Sequence, residues 1–263
     1  MRARCNMNSL WGSIRAGWRV PTLVVWTSIM LGLCLLCRCL AKLRSREAEL
    51  RVRSGFVRTW ARISMRLAGF RIHLVGPPPP RHAFTVSNHL SSIDSVLIAA
   101  VTGGVFVARH DMAQWPGIGF LTRHMDIIFV NRSRRTEVGG INEQIASALH
   151  DGFAVHVFAE SRIGDGKTVQ AFKPALLEAA VRADIPVHYA ILDYRTRPGD
   201  PPPSQAVHWG PGVSFIEHIL GILRLKGGEA FVTFGDEPVA GTDRKVLANA
   251  LWEKVNSRFI PLE

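Results

Sequence analysis

The chain has 263 residues, of which 47% are hydrophobic and 20% are charged. This apolar content is enough for a large buried core, so the composition excludes an intrinsically disordered or collagen-like protein. All 4 cysteines lie before residue 40. No disulfide framework is therefore expected in the rest of the chain, and a reducing compartment is expected for it.

The positive charge is concentrated at one end of the chain. Residues 1–71 contain 14 basic and 2 acidic residues, whereas residues 72–263 contain 18 basic and 19 acidic residues. The net charge of +11 therefore comes from the N-terminal segment, which is also strongly apolar. A basic and apolar terminus is typical of contact with an anionic membrane surface, so we expect membrane lipid as a partner and no nucleic acid.

The first predicted element is a membrane helix. Residues 20–37 form a run of 18 residues without a charge, between Arg19 and Arg38. As a helix this run is about 27 Å long, just enough to cross the hydrocarbon core, although it could also enter one leaflet only. A cleaved signal peptide is the alternative, but no cleavage site of small residues follows the run. We interpret Cys34, Cys37 and Cys39 as small apolar side chains in preference to a metal site.

The second predicted element is a basic amphipathic helix. One of its faces is apolar and another is basic: Phe56, Trp60, Ile63 and Leu67, and Arg51, Arg58, Arg62 and Arg66. Such a helix can lie on anionic lipid head groups, and the alternative is a surface helix packed on the rest of the protein. Basic residues are more numerous after the apolar run than before it. The remainder of the chain is therefore predicted to be cytoplasmic, at an inner or plasma membrane.

The rest of the chain is predicted to be an α/β domain. After the loop Pro77–Pro80, β-rich runs at 83–87, 105–108, 127–130, 154–159, 187–192, 206–209 and 230–234 alternate with helical patterns at 92–101, 136–150, 172–183 and 213–224. A last helix is predicted after Asp243, a favourable N-cap residue. The alternation predicts a mixed or mostly parallel sheet flanked by helices. We divide the chain into a membrane-anchoring helical segment, residues 1–70, and a globular domain, residues 71–263.

Polar residues follow three of the predicted strands, and strand ends are where α/β sheets carry their chemistry. His89 follows the first of these strands, and Asp94 lies five residues later in the first turn of a helix. The turn can bring the carboxylate back to the imidazole, which could then act as a general base. From spacing alone, the alternative is a helix-capping Asp beside an incidental His. No third residue of a hydrolase triad is evident, and a hydroxyl of the substrate can serve as the nucleophile instead.

Charged residues also follow the other two of these strands. Three arginines follow the strand 127–130, namely Arg132, Arg134 and Arg135. Arginine forks suit phosphate, and a solvated basic turn is the alternative. Glu160 and Arg162 follow the strand 154–159, and Asp165-Gly166 beyond them is typical of a tight turn.

Four stretches resemble, in order, the motifs of the PlsC-type glycerolipid acyltransferases, which include the 1-acylglycerol-3-phosphate acyltransferases. They are Asn88-His89-x-Ser91-x-x-Asp94, Ile128-Phe129-Val130-Asn131-Arg132, Val157-Phe158-Ala159-Glu160-Ser161 and Ile185-Pro186-Val187. The resemblance covers roughly residues 56–240. It therefore implies that residues 71–263 form an acyltransferase domain behind a membrane segment.

The resemblance implies a reaction and the residues that carry it. An acyl chain would pass from acyl-CoA or acyl-carrier protein to the free hydroxyl of a lysophospholipid, first of all 1-acylglycerol-3-phosphate, to give phosphatidic acid. His89 and Asp94 would be the catalytic pair. The residues expected to bind substrate are Asn88, Arg132, Glu160, Ser161 and Arg162. Neither a metal nor a cofactor is expected, because a thioester is already an activated acyl donor.

The third stretch departs from the family pattern. The family has Pro, Gly and Thr where this chain has Ala159, Ser161 and Arg162, and many members have Arg in place of Ile163. The segment 160–166 is closer to a bacterial subset with Glu-Gly-Thr-x-Ser-Asp-Gly. Another acceptor, such as lyso-ornithine lipid, is therefore the alternative. A catalytically weak protein that binds anionic lipid is a further hypothesis, which the presence of His89 and Asp94 disfavours.

Overall fold

A mixed sheet forms the centre of the protein. The computed structural model describes residues 2–109, 119, 127–130 and 137–263. Within that part of the chain there are seven strands: β1 (Phe70–Val75), β2 (Phe84–Ser87), β3 (Val105–Arg109), β4 (Ile128–Val130), β5 (Val155–Phe158), β6 (Val187–Thr196) and β7 (Gly228–Phe234). Their order is β1-β7-β6-β2-β5-β3-β4, and all neighbours are parallel except β6 and β7. The predicted α/β class with a mostly parallel sheet is confirmed.

Helices cover both faces of this sheet. They are α1 (Arg2–Arg44), α2 (Arg46–Leu67), α3 (Asp94–Thr102), α4 (Glu137–His150), α5 (Glu178–Arg182), α6 (Pro203–Ala206), α7 (Phe215–Arg224) and α8 (Arg244–Asn256), with a 3₁₀ turn at Pro174–Leu176. On one face α2, α3 and α7 pack on Phe70, Phe158 and Tyr194. On the other face α4 and α8 pack on Val157 and Tyr189. The central strands are thus buried on both sides, as parallel strands usually are.

Some elements differ from the sequence prediction. β1 was not predicted, because it is an edge strand whose one partner, β7, comes far later in the chain. The strand predicted at 206–209 is wrong: these residues end α6 and form a turn, since proline at the first helical positions favours a helix start. The helix predicted at 172–183 is divided into the 3₁₀ turn and α5. Asp243 caps α8 as predicted.

The first two helices form an antiparallel hairpin. Ser45 caps α2 by accepting a hydrogen bond from the N–H of Ala48. Along the hairpin, the indole of Trp60 donates to the hydroxyl of Thr27 at 3.0 Å. Farther along, Arg38 pairs with the buried Glu49 at 2.9 Å. The predicted apolar helix and the predicted basic helix are therefore both present, and they pack against each other.

Arginines of α2 contact the C-terminal end of α3. Arg53, Arg58 and Arg62 donate to the last backbone carbonyls of α3 and its cap, at 3.1, 2.9 and 2.7 Å. Cations are favoured there because the final carbonyls of a helix lack partners within it. Gly103 ends α3 with a φ of 64°, and a Cβ at this position would lie 2.4 Å from the carbonyl oxygen of Ser54. These three arginines therefore pack α2 on the rest of the protein, which is the alternative considered for this basic helix.

The N-terminal half of α1 lies against α7. The buried guanidinium of Arg19 donates to the carbonyls of Leu223 and Leu225 at 3.0 and 2.7 Å. One turn earlier, Arg15 donates to the carbonyl of Arg224 at 2.9 Å. Arg19, which precedes the apolar run, and Arg15 therefore cap the end of a helix in the globular domain. Along its length α1 is thus bound first to α7 and then to α2.

One face of α1 remains exposed and apolar. Within the described residues, Leu10–Arg44 is the one helix long and apolar enough to cross a membrane. Its exposed large apolar side chains are Leu10, Trp11, Ile14, Trp18, Val24, Val25, Ile29, Leu33, Leu35, Leu36, Leu40 and Leu43. We call this set the apolar stripe of α1. A continuous exposed stripe of this length is typical of a surface that contacts lipid.

Candidate active site

The candidate site lies at the carboxyl ends of β2 and β5. These strands are parallel neighbours, with Ser87 paired to Phe158. His89 follows β2 at the same edge of the sheet at which Glu160 follows β5. The first and third predicted strand ends are therefore brought together, as expected for an α/β sheet.

His89 and Asp94 form the predicted pair. Nδ1 of His89 lies 2.8 Å from Oδ2 of Asp94. Nδ1 must donate this bond, because an ionised carboxylate can only accept. Asp94 is fully buried in the first turn of α3. The imidazole keeps 17% of its surface exposed, and no hydrogen bond from a described residue reaches its Nε2. The free ring nitrogen is therefore the one available to a substrate.

Three further donors hold the Asp94 carboxylate. The backbone N–H groups of Leu90 and Ser91 donate to Oδ2 at 2.6 and 2.9 Å. The hydroxyl of Tyr194, on β6, donates to Oδ1 at 2.6 Å. A buried carboxylate needs such donors to replace its lost hydration. Both oxygens of Asp94 are thus bonded, and the carboxylate has a fixed orientation.

The ring of His89 also has an aromatic neighbour. Its imidazole stacks on Phe158, the last residue of β5, with ring centroids 4.0 Å apart and planes 14° apart. Asp94 fixes one edge of the imidazole, and Phe158 covers one face. Together they define where Nε2 points.

Glu160 supports the backbone of His89. Its Oε1 accepts from the N–H of His89 at 2.7 Å, and its Oε2 accepts from the N–H of Gln170 at 2.8 Å. Burial raises the pKa of Glu160 to about 7, against the opposite effect of these two N–H groups. The N–H of Gly164 donates to the carbonyl of His89 at 3.1 Å. The loop after β5 therefore holds both backbone groups of His89, while the expected contact of Glu160 with a head group stays a prediction.

Asn88 and Ser87 hold the C-terminal end of β2 through hydrogen bonds to neighbouring strands. The buried amide of Asn88 accepts from the N–H of Leu192 at 2.8 Å and donates to its carbonyl at 3.0 Å, which fastens β2 to β6. The hydroxyl of Ser87 lies 3.1 Å from Nε2 of His156. Burial lowers the pKa of His156 to about 3, so this histidine is neutral at physiological pH. The structure shows a positioning task for Asn88, and its predicted contact with substrate stays a prediction.

Ser161 adopts a backbone conformation that favours glycine, the residue that the family pattern has at this position. Its φ is 70°, in the left-handed region. A side chain there costs on the order of 1–2 kcal/mol, which glycine avoids. Arg162, the next residue, is exposed, and the predicted substrate contacts of both residues stay predictions.

The second predicted strand end is only partly described. β4 ends at Val130, and because β4, β3 and β5 are successively parallel, this end lies at the same edge of the sheet as His89. Asn131 and Arg132 lie outside the described residues. The contact expected between Arg132 and a phosphate therefore stays a prediction.

Sequence reasoning missed several residues around the site. Tyr194 and His156 are two, and His218 of α7 is a third: its Nε2 lies 3.1 Å from the Ser91 hydroxyl, and its ring stacks on Trp209. All three are remote in sequence from the residues they contact, so motif spacing carries no signal for them. The period-two pattern of a strand could have placed Tyr194 on the face that it shares with Leu192, but not its partner.

Comparisons with known proteins agree with these observations. A family model described as Acyltransferase matches residues 72–190. The chain is 35% identical over 210 residues to the lyso-ornithine lipid O-acyltransferase of Brucella abortus, covering 74% of this chain and 78% of that protein. It is 30% identical over 128 residues to the 1-acyl-sn-glycerol-3-phosphate acyltransferase of Neisseria gonorrhoeae, covering 48% and 50%.

The fold has a counterpart among solved structures. The crystal structure of PlsC from Thermotoga maritima, a 1-acyl-sn-glycerophosphate acyltransferase, superposes with a TM-score of 0.70 over 95% of this chain and 97% of that chain, at 20% identity. At this identity the likeness concerns the fold. Since the likeness to the Brucella protein extends over most of both sequences, the chain belongs to the PlsC-type family of glycerolipid acyltransferases and is an acyltransferase.

Proposed function

We propose that this enzyme transfers a fatty acyl chain from a thioester, acyl-CoA or acyl-carrier protein, to the free hydroxyl of a lyso-lipid, first of all a lysophospholipid. The observation that carries the proposal is the hydrogen bond between Nδ1 of His89 and the buried Asp94. It fixes the tautomer in which Nε2 has a lone pair. A histidine oriented in this way is suited to remove a proton from a hydroxyl group.

The proposed reaction needs no group outside the two substrates and the pair. Nε2 of His89 accepts the proton of the acceptor hydroxyl while the hydroxyl oxygen attacks the thioester carbonyl. A C–O bond forms, and the C–S bond breaks when the tetrahedral intermediate collapses. His89 then gives the proton to the departing thiolate, which leaves as a thiol. Asp94 stabilises the imidazolium between the two proton transfers. The proposal includes neither an acyl-enzyme nor a metal.

The first acceptor in the proposal is 1-acylglycerol-3-phosphate, with phosphatidic acid as product. The support is the sequence motif that ends in Arg132, because a guanidinium binds phosphate through two parallel charge-assisted hydrogen bonds.

Lyso-ornithine lipid is the second candidate acceptor. Its support is the alignment with the Brucella protein, which covers 78% of that protein, whereas the alignment with the Neisseria protein covers 50% of that one. The altered segment after Glu160 is compatible with it. An ornithine head group carries an amine and a carboxylate in place of a phosphate, so the two acceptors require different charges in the site.

One assay tests the reaction and separates the acceptors. The purified full-length protein is given each acceptor in mixed micelles with acyl-CoA or acyl-carrier protein, and the acylated lipid is measured by mass spectrometry. The proposal predicts a new ester on one of the two acceptors. No transfer to either acceptor from either donor would contradict it.

Arg132→Ala is expected to weaken binding of a phosphate-bearing acceptor. Loss of a charge-assisted fork is worth about 1.5–3 kcal/mol, so KM for 1-acylglycerol-3-phosphate should rise roughly tenfold or more. KM for the acyl donor should change little. Arg134→Ala, in the same basic segment, is the matched control. An equal rise in KM for an acceptor without phosphate would assign Arg132 a structural role instead.

We also propose that the α1–α2 hairpin lies along the membrane surface rather than across the membrane. The support is that α1 is bound to α7 through Arg19 and to α2 through Trp60. If α1 crossed the bilayer, α2 and its arginines would be drawn toward hydrocarbon, where each charged side chain costs about 2.5–3.5 kcal/mol. Lying flat, the apolar stripe of α1 enters one leaflet. Since the whole hairpin then lies on one side of the membrane, its basic residues support a cytoplasmic position, because the cytoplasmic leaflet carries the anionic lipids.

A further inference from the structure

The two oxygens of Asp94 have different partners. Oδ2 accepts from Nδ1 of His89 and from the N–H groups of Leu90 and Ser91, all within the active-site turn. Oδ1 accepts from the hydroxyl of Tyr194 at 2.6 Å, and this donor comes from β6, 100 residues later in the chain. The side of the carboxylate that faces away from the imidazole is therefore held by one tyrosine.

The pair of Tyr194 and Asp94 is out of contact with water. Asp94 has 0% and Tyr194 has 1% of its surface exposed. An ionised carboxylate in such surroundings depends on each of its donors, because water cannot replace a lost one. Burial, with the nearby charge of Asp94, raises the pKa of Tyr194 well above its usual value, so the phenol keeps its proton and remains a donor.

The fold fixes the position of the Tyr194 hydroxyl. The ring packs edge-to-face on Phe70, with centroids 6.2 Å apart. Two residues earlier on β6, Leu192 is bonded through both backbone groups to the side chain of Asn88, which directly precedes His89. The strand that supplies Tyr194 is thus fastened to the turn that supplies His89. Neither the ring nor the strand can shift without disturbing these contacts.

We propose that Tyr194 is a positioning residue for acyl transfer: its hydroxyl holds the ionised Asp94 carboxylate so that Oδ2 meets Nδ1 of His89. The inference rests on the proposed role of His89 as general base. Without the hydroxyl, Oδ1 has no donor among the described residues, and the carboxylate can turn or attract a proton. The fraction of His89 with a lone pair aimed at the acceptor then falls. The effect belongs to kcat, because neither Tyr194 nor Asp94 contacts a substrate in this mechanism.

The test uses the two tyrosines that the chain contains, Tyr189 and Tyr194. Tyr194→Phe removes the hydroxyl and keeps the ring, and Tyr189→Phe is the matched control, since Tyr189 is also buried on β6 but packs in the core on the other face. Tyr194→Phe should lower kcat roughly 10–100-fold, as expected for loss of a hydrogen bond to a buried charge, with KM for donor and acceptor within about twofold. Tyr189→Phe should keep kcat within about twofold.

The pH profile separates positioning from a structural defect. With one donor fewer, the buried carboxylate is a stronger base, so the pair of His89 and Asp94 as a whole should hold its proton to a higher pH. The acid limb of kcat should therefore move to higher pH in Tyr194→Phe. A variant that was merely less stable would lose activity equally across the profile.

If Tyr194→Phe folds poorly, a fluorinated tyrosine at position 194 provides a second measurement. In the Tyr189→Phe background, incorporation of 3-fluorotyrosine places a single, more acidic phenol at position 194. Its fluorine resonance should shift when Asp94→Asn is added and should not shift with His150→Ala on the exposed end of α4. The inference would be overturned if the fluorine resonance did not change with Asp94→Asn, or if Tyr194→Phe folded and kept the kcat and pH profile of the parent. If the inference failed in this way but His89→Ala still abolished transfer, the proposed function would stand without a role for Tyr194.

Discussion

His89 is held at four points, one in the first turn of α3 and three at the end of β5 and in the loop that follows it. Asp94 bonds its Nδ1, Phe158 covers its ring, Glu160 bonds its N–H, and Gly164 bonds its carbonyl. A base held in this way loses little orientational freedom in the transition state. Only the Asp94 contact could be predicted from the sequence in detail, because it lies within one turn. The contacts with Phe158 and Glu160 require β2 and β5 to be neighbours, which local sequence does not encode.

Glu160 leads to a prediction about how the stability of the folded protein depends on pH. Its pKa in the folded protein is about 7, above the ordinary value of 4.5, so the fold favours the protonated form. The folded state therefore loses stability as pH rises from 4.5 to 7, by up to about 3 kcal/mol. Glu160→Gln cannot ionise, but it offers only one acceptor atom to two N–H donors. It should unfold at a lower temperature than the parent at pH 5, with a smaller difference at pH 8.

Thermal unfolding of the two proteins at several pH values measures this effect. Glu237→Gln, which removes one carboxyl group at an exposed position, is the matched control. Parallel pH curves for Glu160→Gln and the parent would show that the carboxyl group is not buried in the way described.

The helices illustrate what periodicity can and cannot predict. The 3.6-residue pattern correctly predicted α2, but the basic face that it gave contained Arg51 and Arg66, which are exposed, and omitted Arg53, which is buried. Arg53, Arg58 and Arg62 cap α3, the helix that carries Asp94 at its other end. Similarly, Arg19 caps α7, a partner that the sequence pattern did not indicate. A pattern defines a face of a helix, whereas the partner of that face depends on tertiary packing.

The apolar stripe of α1 predicts how the protein binds membranes. Ile29→Glu together with Leu36→Glu puts charges on two side chains that are 52% and 60% exposed. If each side chain is buried in lipid, its loss is worth about 1.5–3 kcal/mol, so binding to phosphatidylglycerol-containing vesicles should weaken at least tenfold. Val246→Glu, an exposed apolar position on α8, is the control. Equal sedimentation of all three proteins with vesicles would contradict a role for the stripe.

At the scale of the whole molecule, one helix connects the α1–α2 hairpin to the active site. Arg19 of α1 bonds the C-terminal end of α7, and His218 of α7 contacts Ser91 in the active-site turn. The net charge of the chain comes from residues 1–71, so the basic surface is on the side of the hairpin. This arrangement suits an enzyme whose acceptor is a membrane lipid. The division of charge and the fold class were predictable from the sequence, whereas the link through α7 depends on contacts between segments 200 residues apart.

The most direct test of the account is the rate of acyl transfer by His89→Ala, with Asp94→Asn beside it and His150→Ala as the control on an exposed helix end. General-base assistance is worth roughly 10²–10⁴-fold in rate, so kcat should fall by at least 100-fold in His89→Ala and severely in Asp94→Asn. Vesicle binding and acyl-donor binding should be retained by both. If His89→Ala transfers acyl chains to a lyso-lipid acceptor at nearly the parent rate, His89 is not the base and the proposed mechanism is wrong.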